Sequence, residues 1–484
     1  MLIRQTLLYM PAQLIGPLFQ FVAAVAWTHW LSPGEYGALA YILAAQELAY
    51  LICLAWWSQY MLRYIGHFEG PEQRLHFQRS ENSVLAVSAA LQALVGVATL
   101  MASHAGVTPG LLSATIVYVV ARSLTSHLSE RARSAGAIAA YTISQLIGPV
   151  IGFGLALLAV SRIEASAEMA LAGFAIAQLA GLLWLWRRLG LGIVMARPGA
   201  DIVNASVRFG APLVLAGVIG WASFNGIRVI VDQFSGPAAV GLVSVGWGLG
   251  QRLAAVLAML LTAAAFPLAV KHLQAGRKDE ALRQVSMSGV MLMCLLAPAC
   301  VGIVMVSHPL VELMIAEPFR AVTYLVLPLA AIAGALRNLR VHTVDQVIIL
   351  FEQTRYNVII NVVEVIATVG FCIGGLLMWG LPGAAAGCLA GTIVGFVYGY
   401  YIAATRFDLA LPWSDLARIA LATCVMGLAV GALPMGLAGD NLAAQIALKA
   451  GVGGLVYIGA MAALFPAMAR EGFGKAASAL SGVR

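Results

Sequence analysis

The sequence predicts an all-α polytopic membrane protein: about fourteen transmembrane helices, built as two six-helix lobes with two helices appended. Three observations lead there. Of 484 residues, 61% are hydrophobic and only 10% charged, where soluble domains carry about 25% charged residues; mean hydropathy is +0.90. Apolar stretches of roughly 20 residues, enough to cross a ~30 Å hydrocarbon core as helix, recur from end to end. These stretches are continuous, without the period-two alternation of a barrel strand. Finally, short stretches of the first half return in the second, six spans later.

In order, the spans fall near 7–31, 36–62, 83–103, 109–129, 137–160, 167–186, 209–233, 239–268, 285–306, 321–341, 356–379, 383–405, 414–435 and 442–466. The first, preceded by Arg4, is too long for a signal peptide's apolar region and contains Pro11 and Pro17, so it is expected to remain as a helix. Orientation follows from the basic residues. With the N-terminus inside, twenty-two of the 28 Lys and Arg fall in inner segments. Only Arg162, Arg320 and Lys449 fall outside, and Arg122, Arg228 and Arg252 lie within spans. Both termini are therefore expected in the cytoplasm, in the inner membrane of the cell. The longest inner connections, 63–82 and 187–208, are too short for a soluble domain. The basic residues form no stripe, which excludes nucleic acid as a partner. Six cysteines sit in apolar segments without metal-ligand spacing, so they read as small core residues and no metal is expected.

The repeat is visible in three places. AAQELAYLI (44–52) parallels LGQRLAAVL (249–257), with Glu47 facing Arg252 in the alignment. LSPGEYG (31–37) parallels SGPAAVG (235–241), and RSLTSH (122–127) parallels RNLRVH (337–342). These fall on spans 1 to 2, 2 and 4, then 7 to 8, 8 and 10. An even offset means that both halves cross the membrane in the same sense, related by a pseudo-two-fold along the membrane normal. The expected organisation is an N-lobe at 1–189, a cytoplasmic linker at 190–208, a C-lobe at 209–405, and the appended helices with a tail at 406–484. Two such lobes enclose a cavity that rocking opens to either side.

At this point the chain resembles a known family. YMPAQLIGPLFQF and LSPGEYGALAY near the start, GIRVIVDQFSGPAAVGLVSVGWGLGQRLAAVL in the middle and LPGAAAGCLAGTIVGFVYGYY at 381–401 look like the O-antigen and exopolysaccharide repeat-unit flippases. That family shares a superfamily with multidrug-and-toxin extruders and lipid II flippases. The resemblance covers essentially the whole chain through diffuse patterns of Gly, Pro and single charges. Members commonly show Asp-Arg before the IxxxFxG segment of span 7; here Ile227-Arg228 stands there, with an aspartate one turn later at Asp232. The resemblance implies flipping of a polyprenyl-diphosphate-linked oligosaccharide by alternating access, with membrane lipids and polysaccharide polymerase or export machinery as partners.

A charge at membrane depth costs about 2.5–3.5 kcal/mol, so each one is expected to face protein or a water-filled cavity. Arg228 and Arg252 lie on consecutive helices that the resemblance assigns to the cavity wall. They are the candidates for a cationic substrate site, since a guanidinium fork matches phosphate oxygens and stays charged. The competing structural reading pairs Arg228 with Asp232 at i,i+4, and Arg252 with Glu47 across the lobes. A Glu47–Arg252 pair opened by an anionic substrate would act as a latch. Glu47, Asp232 and Glu364 are the candidates for gating or for coupling to H+ or Na+. Arg122 with His127, and Arg337 with His342, are expected at the cytoplasmic mouth, snorkelling or collecting anionic headgroups. Trp27 and Trp30 read as interfacial belt residues or a sugar-stacking surface.

No nucleotide loop, nucleophile elbow or zinc-protease motif occurs, so no cofactor or catalytic residue is expected and the chain reads as no enzyme. Rival readings are a drug or cation antiporter of the same superfamily, a glycan polymerase or ligase, and a scaffold in polysaccharide assembly.

Overall fold

The computed structural model describes residues 2–68, 70–192, 198–262, 265–434 and 439–466, with side-chain surroundings from residue 15 onward except 260–265. Among these residues every regular element is helical. Eleven helices are long and apolar enough to cross a membrane. Two of the eleven are broken within: at Gly236 (φ 77°, ψ 178°), followed by Pro237, and at Gly380 (φ 66°, ψ −149°), shortly before Pro382. Separated there, the eleven become thirteen, and the 29-residue leading helix makes fourteen. Both breaks fall in the turns expected at 233–239 and 379–383. A positive φ is open to glycine at no steric cost.

In chain order the helices are α1 (Leu2–Trp30), α2 (Pro33–His67), α3 (Pro71–Ala102), α4 (Pro109–Ser134), α5 (Ile138–Arg162), α6 (Ala167–Arg188), α7 (200–235) and α8 (237–262). A short helix, Ala265–Gln274, follows. Then come α9 (Lys278–Met314), α10 (Glu317–Leu350), α11 (355–379), α12 (381–407), α13 (Trp413–Gly431) and α14 (Leu442–Leu464). Local chemistry starts several of them. Ser32, Thr108, Ser166 and Asn441 each accept a hydrogen bond from the backbone N–H three residues on, at 3.0–3.3 Å. Pro33 and Pro109 occupy the first helical position, where a missing N–H costs nothing.

Two connections differ from the sequence expectation. The stretch 63–82 is not a loop: α2 runs to His67 and α3 begins at Pro71, so polar helical turns extend past the apolar span. The linker expected at 190–208 is helical from residue 200; its residues 193–197, with Arg197, lie outside the described residues, as does the tail from 467 with Arg470, Lys475 and Arg484. Pro17 and Pro212 lie inside helices whose backbone continues through them, while the side chain of Pro11 is outside the description.

The chain gathers into two compact units: Met1–Val245 with Glu364–Gly391, and Gly246–Val363 with Thr392–Arg484. In the first, α7 packs on α2, where a Cβ on Gly210 would overlap Trp56. The repeat shows there as a reciprocal contact. A Cβ on Gly37 would overlap the Pro237 carbonyl, and a Cβ on Gly241 would overlap the Pro33 carbonyl. Each partner offers the other the equivalent surface, as a two-fold between repeats requires. Gln46 of α2 donates to Ser123 of α4 at 3.1 Å. Its repeat counterpart Gln251 of α8 is packed against Gly334 of α10.

Each unit has its own core beneath one set of helix ends. In the first, Trp57 stacks on Phe77 with ring centroids 5.4 Å apart, among Leu54, Met61 and Leu85. In the second, Val347, Ile348, Ile360 and Ala403 are fully buried together. Trp27 is neither in an interfacial belt nor open to a sugar. It is 3% exposed and meets Phe153 and Phe174 edge-on at 5.4 and 6.2 Å.

Candidate functional site

A cavity of about 430 Å³ opens in the first unit where α2, α4 and α7 meet. Gln46, Glu47, Tyr50 and Leu51 line it from α2, Arg122 and Ser126 from α4, and Gly217, Trp221, Phe224 and Asn225 from α7. Depth follows from helix geometry. Glu47 and Arg122 stand fourteen and thirteen residues into their helices, so roughly 20 Å from the helix starts at 1.5 Å per residue. Both charges are therefore near mid-membrane.

The helices are tied around this space by specific bonds. Trp221 donates its indole N–H to the Ala44 carbonyl at 2.9 Å, fixing α7 on α2. Asn225 Nδ2 donates to Glu47 Oε2 at 3.2 Å, and its Oδ1 accepts from Arg228 Nη1. The amide thus stands between a cation and an anion and is oriented by both. Arg122 differs. Among the described residues its guanidinium makes no hydrogen bond or ion pair, and it faces the cavity half-buried. Since such a charge is costly in hydrocarbon, its stability at this depth requires water or a ligand in the cavity.

Two π-helical turns bear on the same place. One, Leu51–Ala55, begins at the cavity wall directly after Tyr50. The other, Ile147–Gly152 in α5, passes Arg122 so closely that a Cβ on Gly148 would lie 3.7 Å from its Nη1. Such bulges turn the following residues to a new face and occur often at functional sites.

The residues singled out from sequence divide as follows. Glu47 lines the cavity, and Arg228 reaches it through Asn225. Arg122, expected at the cytoplasmic mouth, lies at mid-helix in the cavity wall. Asp232, 1% exposed, does not pair with Arg228: it accepts from the His104 backbone N–H at 3.3 Å and faces the His104 ring at 3.6 Å. Together with the bond from Gln233 to the Ala102 carbonyl, it ties α7 to the α3–α4 loop. Arg252 and Arg337 are half-buried on α8 and α10 in the second unit. His342, at the end of the first segment of α10, has its Nδ1 buried without a hydrogen bond. Glu364 of α11 is 1% exposed and is not among the cavity residues.

Sequence reasoning missed the aromatic and amide half of the wall, although SFNGIR (223–228) is unusually polar for a span. It also missed a buried network next to the cavity. His127, with no exposure, bonds Ser58 Oγ at 2.9 Å and Glu81 Oε1 at 3.1 Å, and Arg131 pairs with the other Glu81 oxygen at 3.4 Å. His127 does not snorkel. It links α2, α3 and α4 below the cavity.

The family model described as "Polysaccharide biosynthesis protein" matches residues 2–273, more than half of the chain. The chain belongs to that family. A lipid II flippase, MurJ in an inward closed conformation, shares its fold: TM-score 0.77, 12% identity, covering 96% of this chain and 99% of the flippase. An inward-facing multidrug resistance MATE transporter of the MOP superfamily gives 0.64 at 14% identity, covering 82% and 98%. An outward-facing MATE transporter gives 0.54 at 13% identity, covering 84% and 95%. A search of curated proteins finds no match. The protein therefore has a multi-helix membrane fold like that of the lipid II flippase MurJ and the MATE transporters.

Proposed function

We propose that this protein flips polyprenyl-diphosphate-linked oligosaccharide repeat units across the cytoplasmic membrane, for cell-surface or exported polysaccharide. The observation that carries this reading is the Arg122 guanidinium, near mid-membrane and unpaired, facing a cavity that also presents Trp221, Phe224 and Tyr50. Five N–H donors in a rigid fork suit diphosphate oxygens. Flat aromatic faces suit the apolar faces of sugar rings. Arg228, acting through Asn225, adds positive potential at the same wall; Arg252, on α8, is assigned to substrate binding as a separate cation. Membership of a polysaccharide biosynthesis family and the fold of a lipid II flippase support the substrate class.

In this reading the headgroup enters from the cytoplasm while the lipid chain stays in the bilayer. The repeats then rock to expose it on the far side; the fold supports such a cycle, since MATE transporters of this fold have been solved facing inward and outward. Glu47 and Glu364 are the carboxylates assigned to coupling with H+ or Na+, Asp232 being committed to the α3–α4 loop. Arg337 and His342 are assigned to an inner mouth that attracts anionic headgroups, with both termini in the cytoplasm and the polymerase or export machinery as downstream partner.

One observation favours a second reading. Glu47 is an exposed carboxylate in the cavity wall, which an antiporter of organic cations would use. Native mass spectrometry of the purified protein separates the two. Retention of a polyprenyl-diphosphate glycan, with no uptake of small organic cations, supports the flippase. Cation binding without lipid retention gives the protein to the antiporters.

A further inference from the structure

A second charged cavity lies in the other unit, at the helix ends that the Lys and Arg distribution assigns to the cytoplasm. Its volume is about 360 Å³. Three cations, Lys278, Arg355 and Arg406, meet three aromatic rings there, Phe351, Tyr356 and Phe407. Asp408 Oδ2 holds Lys278 Nζ at 2.8 Å, and Glu352 stands next to Phe351 at the rim, so three cations face two carboxylates. Arg355 lies over the Tyr356 ring at 5.0 Å and bonds only weakly to its hydroxyl, at 3.5 Å. Arg406 makes no hydrogen bond or ion pair among the described residues. The pocket therefore carries an excess of positive charge beside the membrane.

Two further facts bear on it. Among the described residues only Glu352 (φ 58°) and Asp408 (φ 62°) are non-glycine residues with positive φ. They lie in the two loops that rim this pocket, Asp408 capping the C-terminal end of α12. A second cavity, of about 240 Å³, shares Tyr356 and Arg406 with the first and continues along α11 and α12 past Ile359, Tyr398 and Tyr401. Ile359 is 42% exposed and Tyr401 61% exposed. A cationic pocket at the interface thus opens into an aromatic and aliphatic groove on membrane-spanning helices.

We propose that this composite site binds an anionic glycerophospholipid, with the phosphate between Arg355, Arg406 and Lys278 and one acyl chain along the Tyr398–Tyr401 groove. The charge is complementary to an anionic headgroup, and basic pockets between helix ends at the cytoplasmic face are suited to such lipids. The apolar continuation favours a lipid over free phosphate. The site is separate from the Arg122 cavity, so it stands or falls independently of the flippase reading.

The test is native mass spectrometry of the full chain released from mixed micelles of phosphatidylglycerol and phosphatidylcholine. Wild type is expected to retain phosphatidylglycerol at least about tenfold over phosphatidylcholine, as two charge-assisted contacts allow. The Arg355→Gln/Arg406→Gln variant should lose that preference, and Arg355→Lys/Arg406→Lys should keep part of it. Tyr401→Ala should weaken retention of both lipids. Glycerol phosphate at millimolar concentration should not compete. Circular dichroism melting checks that each variant is folded. Equal retention of phosphatidylglycerol by wild type and the folded glutamine variant overturns the proposal. Competition by glycerol phosphate, or stronger retention of a polyprenyl phosphate, also overturns it.

Discussion

The Arg-x4-His stretch occurs once in each repeat, and the two copies have reached opposite states. In the first, His127 is fully buried and bonded on both ring nitrogens, to Ser58 and to Glu81, and Arg131 completes the network. In the second, His342 is half-buried with its Nδ1 unbonded. The polar bonds there go instead to Arg340, which donates to Asn361 at 2.7 Å and faces Asp345 at 3.7 Å. The motif is the same; the packing helices differ. Glu81 on α3 supplies the first copy with a buried anion, whereas in the second copy the carboxylate sits one turn beyond the histidine. A repeat conserves backbone geometry more readily than it conserves a side chain's partners, and the first copy became a fixed support beneath the Arg122 cavity.

The largest effect that could break this comparison comes from removing the buried anion. Glu81→Ala strands Arg131 and His127 without their partner, and breaking such a buried pair costs about 3–5 kcal/mol. A detergent melt monitored by circular dichroism should fall by many degrees. An unchanged melt would mean that the network carries no load. Next, Gly37→Ala and Gly241→Ala each force a methyl into the opposite carbonyl, a form of overpacking that costs about 1–3 kcal/mol. Because the contact is reciprocal, the two losses should be alike. A large difference between them would argue against the two-fold. Smallest, His342→Ala should cost less than about 1 kcal/mol, since a half-buried ring without its Nδ1 hydrogen bond loses mainly contact area. A loss matching that of His127→Ala would erase the contrast.

Much of the fold was readable because hydrocarbon imposes one dominant rule: long apolar helices with every backbone group satisfied internally. The breaks at Gly236 and Gly380 fell within the expected turns for the same reason, a glycine followed by proline within two residues. Polar helical ends were harder. The start of α3 reads as loop because PEQRLHFQRSEN carries no apolar stripe, yet it is helix, with Phe77 and Glu81 turned into the core. The cavity was half legible. Glu47 stood out as a charge in an apolar span. Arg122 was set at the inner mouth because a tally of charges gives depth only roughly, and the face a residue presents depends on helix rotation. Two π-helical turns near the cavity, in α2 and α5, turn the faces of those helices, and no simple residue pattern announces them. Asp232 shows the same limit: i,i+4 spacing offered Arg228 as its partner, but a loop from elsewhere in the chain reached it first.

The flippase reading rests on Arg122 holding the anionic headgroup during transport. The most direct measurement is flipping of a short-chain polyprenyl-diphosphate glycan in proteoliposomes, comparing wild type, Arg122→Lys and Arg122→Ala at matched reconstitution. Loss of a charge-assisted contact worth about 1.5–3 kcal/mol predicts a fall of at least tenfold for Arg122→Ala, with Arg122→Lys between the two. Flipping by Arg122→Ala at the wild-type rate would contradict the claim.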